Sequence, residues 1–366
     1  MSKYLYSLGL MSGTSVDGVD ASIIKSDGEQ FLEIIDDIYV KYDDHFKMKL
    51  KKTIDSCYSK DEFNNLSNSI KDIEKEITLF HDQACKLIIK KNRNIKIDII
   101  GFHGQTILHK PQEGYSIQIG DSKLLSKLTN TTVVSNFREN DILNGGQGAP
   151  LSPLYHHLII SKIKSNLPSA VVNIGGISNI TYVDNENKIK SFDTGPGNYL
   201  IDKWVKMNSK MEFDDKGQLA KSGKSNEIIL EKFLSNQYYK KKLPKSLDVK
   251  DFNLNDLSKL SLEDGCATLS MFTVKSICMA INSFSIIPNK ILFSGGGRKN
   301  DFIITNIKKI IKESIHLIDE FNFDGDFIES QAFAYLAIRS YLKKFITFPT
   351  TTGAKKPSLG GTIFKS

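Results

Sequence analysis

Two stretches of the chain share one hydrophobic pattern. From Leu5 to Ile24 two apolar runs flank Ser12-Gly13-Thr14-Ser15-Val16-Asp17-Gly18, and from Val171 to Val183 two more flank Gly175-Gly176-Ile177-Ser178-Asn179. Each pattern predicts a β-hairpin with a small, polar tip. Phe31–Tyr42 alternates well enough for a third strand, which makes the opening a meander. Helical spacing follows over Asp44–Tyr58 and Lys60–Lys91, the second with Leu66, Ile70, Ile73, Ile77 and Phe80 three and four residues apart. Ile95–Phe102 is an almost continuous apolar run of strand length, as suits a strand buried on both faces, and His103-Gly104-Gln105-Thr106 stands at its exit.

Thr106–His109 and Tyr115–Ile119 read as short strands, Ser122–Thr129 as a helix and Thr132–Ser135 as a strand. The loop Asn136–Pro153, with Arg138, Asp141 and Asn144-Gly145-Gly146-Gln147-Gly148-Ala149-Pro150, is expected to cross between lobes. After it the opening order repeats: hairpin, a third strand at Ile189–Asp193, then helices. A long helix at Leu262–Phe284, a strand at Lys290–Ser294, the Gly295-Gly296-Gly297 turn, a helix at Asn300–Ile311, a strand near Ile315–Ile318 and a helix over Gly325–Phe345 complete the lobe. The tail Pro349–Ser366 is expected to return to the first lobe. The repeated order predicts two related α/β lobes with mixed sheets and flanking helices, residues 1–130 with 346–366 and residues 131–345.

A chain of 366 residues is long enough for two cores of ordinary size. The first apolar run, Tyr4–Met11, is too short for a membrane span and lacks the basic start of a signal peptide, so a cytoplasmic location with no membrane partner is expected. Cys57, Cys85, Cys266 and Cys278 show no C-x-x-C spacing, which argues for free thiols and against a zinc site. The net charge of +7 comes from lysines spread along polar stretches without aromatic interleaving, so a solvated surface is expected and no nucleic-acid partner.

Glycines let backbone N–H groups turn toward an anion, and small hydroxyl side chains add donors, so both hairpin tips suit phosphate oxygens. Two such tips facing one another would hold a nucleotide between lobes. Asp17 suits Mg²⁺ held through water, or only the ordering of its own turn with Gly18. Asp193 ends a strand before Thr194-Gly195-Pro196-Gly197-Asn198, where a carboxylate can take a proton from water or a hydroxyl, or can simply cap the turn. His103 reads as a hydrogen-bonded structural histidine or a base. Gln105 and Thr106 are polar enough for a sugar. Arg138 can clamp a carboxylate or pair on the surface, and Glu329 suits the first turn of a helix whether or not it binds anything. Ser294-Gly295-Gly296-Gly297-Arg298 permits close approach of a flat ring or phosphate, or is a tight turn; it is not G-x-G-x-x-G, and no P-loop occurs.

Together, Met11–Asp20, His103–Thr106, Gly145–Leu151, Asn173–Asn179 and Phe192–Asn198 resemble the anhydro-N-acetylmuramic acid kinases, over nearly the whole chain. The resemblance implies an actin-like ATPase and sugar-kinase fold (ribonuclease H-like, two-lobed), with ATP in a central cleft. It implies an enzyme that uses ATP, Mg²⁺ and water to open the 1,6-anhydro bridge of an amino sugar and phosphorylate O6, in peptidoglycan recycling. By it, Asp193 is the general base, and Gly13, Thr14, Ser15, Val16, Asp17, Gly18, Val19 and Asp20 hold ATP phosphates with Gly175, Gly176, Ser178 and Asn179. Gly295 and Gly296 lie near the nucleoside, and Asp17 meets the metal. Gln105, Thr106, Arg138, Asn198 and Glu329 are the expected sugar contacts, and a homodimer is the expected assembly. On the same fold the alternatives are a kinase for a free amino sugar and a chaperone or filament ATPase; the chaperone is disfavoured because only a short tail follows the final helix, and a filament former is expected to pellet in an ATP-dependent way. Two departures stand out: Lys245-Ser246-Leu247-Asp248-Val249-Lys250 replaces the family's Lys-Ser-Thr-Gly-Arg-Glu, and Ser330 follows Glu329 where a small apolar residue is usual.

Overall fold

The structure is a computed structural model that describes residues 4–247 and 252–366. Its strands are β1 (Leu5–Ser12), β2 (Gly18–Ser26), β3 (Leu32–Lys41), β4 (Ile99–Lys110), β5 (Tyr115–Ile119), β6 (Thr132–Ser135), β7 (Ser169–Ile174), β8 (Ile177–Val183), β9 (Ile189–Pro196), β10 (Lys290–Ser294), β11 (Ser314–Leu317) and β12 (Thr362–Phe364). The described residues divide into two compact units, the chain up to Lys162 together with Phe327–Ser366, and Ile163–Asp326.

The first unit carries a seven-stranded sheet in the order β12-β6-β4-β1-β2-β3, with β5 paired to β4; the second carries a five-stranded sheet in the order β11-β10-β7-β8-β9. One rule builds both. The first strand of each meander pairs antiparallel with the second and parallel with a strand that arrives after a helical crossover, β4 beside β1 and β10 beside β7. Parallel pairs need such a crossover, supplied by Asp44–Asp55, Lys60–Asn65 and Ser67–Lys91 in the first unit and chiefly by Tyr199–Asn208 and Leu262–Asn282 in the second. The central strands are buried on both faces: Leu8, Leu10, Ile100 and Phe102 in one core, Val172, Ile174, Ile180 and Phe293 in the other. Mixed α/β architecture in two units with two mixed sheets is thus observed, and the tail returns to the first unit because β12 pairs with β6.

The unit boundaries differ from the expected breaks at 130/131 and 345/346. Thr132–Ser135 pairs with β4, and Ile328–Tyr341 packs on β1, β2 and β4, so both belong to the first unit. Gly9 makes that contact possible: a Cβ there would lie 1.9 Å from the Ser330 carbonyl oxygen. The stretch Asn136–Pro153 therefore does not cross between units; it contains the short helix Glu139–Leu143, and the helix Pro153–Lys162 follows before the crossing. The expected helix over Lys60–Lys91 breaks at Leu66, which ends the piece Lys60–Asn65 and precedes Ser67–Lys91; Ser59 caps the start of the first piece by accepting from the Glu62 N–H at 3.2 Å. The two strands expected at Ile95–Phe102 and Thr106–His109 are one, β4, and His103 lies inside it. Pairing with β5 carries the strand onward, and Gly104 at φ 72° lies where the register of β4 with β1 shifts.

Three histidines of the first unit, His81, His103 and His156, are buried, and His109 is half-buried with its Nε2 enclosed. Burial pulls His81 down to about 4 and His156 down to about 3; burial with the nearby Arg138 charge pulls His109 down to about 3 and holds His103 well below the imidazole range. All four are neutral when folded, whereas the unfolded chain takes up protons from about pH 6.5 downward. Stability is therefore complete above that pH and falls as the pH drops toward 4, by up to about 1.4 kcal/mol per pH unit for each histidine. Denaturant titrations between pH 7.5 and 5 should show the midpoint falling; a flat midpoint would contradict these burial assignments.

Candidate active site

In the first unit the tip between β1 and β2 is pinned from below. Tyr42 OH donates to Ser12 Oγ (2.8 Å), Ser12 Oγ donates to Gln105 Oε1 (2.7 Å), and Gln105 Nε2 donates to the Gly13 carbonyl (3.2 Å). Ser12, Tyr42 and Gln105 are at most 1% exposed. Burial first, and then the charges of Asp17 and Asp20, push the Tyr39 phenol up to about 12. Val16 adopts φ 54° with its side chain buried, an uncommon backbone state for a β-branched residue, and its N–H closes the turn on the Gly13 carbonyl (3.2 Å). Thr14 and Ser15 are exposed, and Ser15 Oγ donates to Asp17 Oδ1 (2.7 Å). Gln105 thus supports the tip, and Thr106 Oγ1 accepts from Gln118 (3.3 Å).

Arg138 donates from Nε (3.1 Å) and from a terminal nitrogen (3.0 Å) to His103 Nε2, and from the other terminal nitrogen to the Gly148 carbonyl (2.7 Å). An arginine cannot accept, so His103 carries its proton on Nδ1, which donates to the Gly104 carbonyl (2.9 Å). This is a structural imidazole that orients Arg138. Asp141 Oδ2 accepts from the Gly148 N–H (2.7 Å) and Oδ1 from Thr352 (2.7 Å), which closes the glycine-rich loop. Glu329 sits half-buried in the first turn of Ile328–Tyr341, in the first unit. The departure at Ser330 is accommodated: its buried hydroxyl lies 2.6 Å from Ser22 Oγ.

In the second unit the tip between β7 and β8 is tied to the turn ahead of Tyr199–Asn208. Gly197 N–H donates to the Gly176 carbonyl (2.9 Å), Asn198 N–H to that of Gly175 (2.8 Å), and Tyr199 N–H to that of Gly176 (3.2 Å). Strand pairing sets Ser294, Asn173, Asn179 and Asp193 opposite one another on β10, β7, β8 and β9, so one polar row crosses four strands beside the tip. Asp193 is 6% exposed, lies within β9 rather than at its end, and accepts from the Leu247 N–H through Oδ2 (2.9 Å). Among the described residues, Ser178 Oγ and the Asn179 amide oxygen are buried without a hydrogen-bond partner. A ligand or a water can satisfy such atoms.

Arg298 fixes the Gly295–Gly297 turn. Buried at 4% exposure, it donates to Asp319 (2.7 and 2.7 Å), Asp326 (2.5 Å), Asp324 (3.3 Å) and the Gly295 carbonyl (3.1 Å). Although burial opposes their charge, bonding to Arg298 holds Asp319 below the usual carboxylate range, and bonding to Lys299 and Arg298 does the same for Asp326. Gly296 has open space where a side chain would stand. Of the expected site residues, Gly13–Asp20, Gln105, Thr106, Arg138 and Glu329 fall in the first unit; Gly175–Asn179, Asp193, Asn198, Gly295 and Gly296 fall in the second. Tyr42, Tyr238 and Leu247 escape a reading of local pattern, and so does the bracing role of Ser12 within its tip, because these parts rest on contacts distant in sequence. Asp248, Val249 and Lys250 lie outside the described residues.

Glycine-tipped hairpins on two sheets of like topology, with an acidic residue in a polar row beside one of them, define a mixed α/β protein of two similarly built units. The chain belongs to the anhydro-N-acetylmuramic acid kinase family, whose sequence profile matches residues 5–366, and is a phosphotransferase with an alcohol group as acceptor. It is 50% identical, over all of both chains, to a protein of Pelagibacter ubique named anhydro-N-acetylmuramic acid kinase. A Zymomonas mobilis protein of that name is 39% identical, with 98% of this chain and 99% of its own covered. Among solved structures, the Acidaminococcus fermentans (R)-2-hydroxyglutaryl-CoA dehydratase component A aligns with 92% of this chain and 99% of its own, at 12% identity and a TM-score of 0.43, a likeness too slight to bear on the site. Among the described residues no helix is long and apolar enough to cross a membrane.

The turn at Gly197 gives a stability test. A Cβ there would stand 2.1 Å from the Gly175 carbonyl oxygen, whereas one at Gly296 meets nothing within 4 Å. Gly197→Ala should cost about 1–3 kcal/mol of unfolding free energy, and Gly296→Ala about 0.5 kcal/mol or less. Equal losses in denaturant titration would contradict this geometry.

Proposed function

We propose that the enzyme uses ATP and water to open the 1,6-anhydro bridge of 1,6-anhydro-N-acetylmuramic acid and to phosphorylate O6, yielding N-acetylmuramic acid 6-phosphate, in the cytoplasm and as part of peptidoglycan recycling. The observation that carries the reading is Asp193. A buried carboxylate, held by a backbone N–H in a polar row beside a glycine tip, has the chemistry of a general base. Water attacks C1 and gives its proton to Asp193, the C1–O6 bond breaks, and O6 takes the γ-phosphoryl group as ADP departs. Capture of the developing alkoxide by the phosphoryl group removes the charge that bond breaking creates.

The backbone and side chains of Gly13–Asp20 and of Gly175, Gly176, Ser178 and Asn179 are the proposed phosphate ligands. The orphaned Ser178 and Asn179 atoms support that role. The open face of Gly296, beside Gly295, suits the nucleoside. Arg138 suits the lactyl carboxylate, with Thr106, Asn198 and Glu329 as further sugar contacts and Gln105 acting through the tip. For Mg²⁺ the donor set is one partly exposed carboxylate, Asp17, and among the described residues no group of three or more His, Cys, Asp or Glu is arranged for a metal. That fits a cation that keeps most of its waters. Bound at Asp17 through water, Mg²⁺ would supply neutralisation of phosphate charge.

Turnover in ¹⁸O-water should place label at C1 of the product, read by mass spectrometry. Unlabelled C1 would instead indicate phosphorylation of a free amino sugar without bridge opening. Asp193→Asn keeps the size and removes the basicity, and kcat with the anhydro sugar should fall ~10²–10⁴-fold; near-normal kcat would reject Asp193 as the base.

A further inference from the structure

The edge of the second sheet holds a group of contacts that the reaction as proposed does not use. β9 is an edge strand, and its register with β8 shifts between Ser178 and Asn179, opposite Asp193. A bulge aims a side chain but disrupts the ladder that would hold it. At this point one segment contacts Asp193 three times. The Asp193 N–H donates to the Lys245 carbonyl (3.0 Å), the Asp193 carbonyl accepts from Tyr238 OH, and the carboxylate accepts from the Leu247 N–H (2.9 Å).

The segment is itself braced. Tyr238 is 1% exposed. The Lys245 ammonium lies 4.3 Å from the centre of the Tyr238 ring and donates to the Tyr238 carbonyl (3.2 Å), which ties the two ends of the segment together. Tyr239 OH lies 2.7 Å from Ser276 Oγ, on the helix Leu262–Asn282. We propose that Tyr238, Lys245 and the Leu247 N–H form a positioning clamp that sets the direction of the Asp193 carboxylate toward the attacking water. The inference rests on the assignment of Asp193 as general base. Tyr238 and Lys245 touch no reacting atom; they act through Asp193.

The test uses the full-length enzyme with ATP and the anhydro sugar. Tyr238→Phe removes one hydroxyl, and kcat should fall roughly 10–100-fold through misalignment. KM for both substrates should stay within about twofold, because binding groups are untouched. The double variant Asp193→Asn/Tyr238→Phe should be no slower than Asp193→Asn alone, since both changes act through one carboxylate. Unchanged kcat in Tyr238→Phe, a rise confined to KM, or additive losses in the double variant would each overturn the clamp. If Tyr238→Phe gives no cooperative thermal transition, Lys245→Met serves in its place with the same expected kcat loss and non-additivity. A slow Asp193→Asn with a normal Tyr238→Phe refutes the clamp alone; a normal Asp193→Asn refutes the base and the clamp with it.

Discussion

Three backbone hydrogen bonds, from the N–H groups of Gly197, Asn198 and Tyr199 to the carbonyls of Gly175 and Gly176, hold the second unit's candidate site together. They join a hairpin tip to the entrance of a helix. Both partners are main chain, so the tie depends on close approach and tolerates no Cβ at Gly197. It also fixes the neighbouring geometry. With the tip anchored, β8 and β9 meet in the register that sets Asn179 against Asp193, and Ser294 and Asn173 extend the row.

The first unit reaches a similar end by other means. Its tip is held by side chains, through the buried series Tyr42, Ser12 and Gln105. Buried polar groups of this kind are tolerable only when each is satisfied, and here each hydroxyl donates onward. Both tips are therefore braced from within their own units, one by side chains and the other by main chain, and a loop held in this way leaves little ordering for any ligand to impose.

Charge is handled with similar economy. Arg298 and three aspartates brace the glycine turn before Asp301–Ile310, while the Arg138 guanidinium orients against a neutral His103. A bidentate or forked guanidinium fixes direction as well as charge. The two arginines differ in consequence. Arg298 is enclosed by carboxylates and fixes the glycine turn of the second unit, whereas Arg138 bonds His103 and the Gly148 carbonyl and so ties β4 to the glycine-rich loop of the first.

Much of this was legible in the chain itself. Strand and helix periodicities, the glycine tips between apolar runs and the repeated meander-then-helix order are local signals, and local packing rules turn them into hairpins and two mixed sheets. The ordered motifs Met11–Asp20, His103–Thr106, Gly145–Leu151, Asn173–Asn179 and Phe192–Asn198 carry the family resemblance by themselves. What periodicity could not supply was partnership across distance. That Thr132–Ser135 and Ile328–Tyr341 join the first unit, that Gln105 supports the tip, and that Tyr238 and Leu247 grip Asp193 all depend on residues about 30 to more than 300 positions apart. Such contacts are decided by which faces pack once the sheets form, and that choice belongs to the tertiary structure.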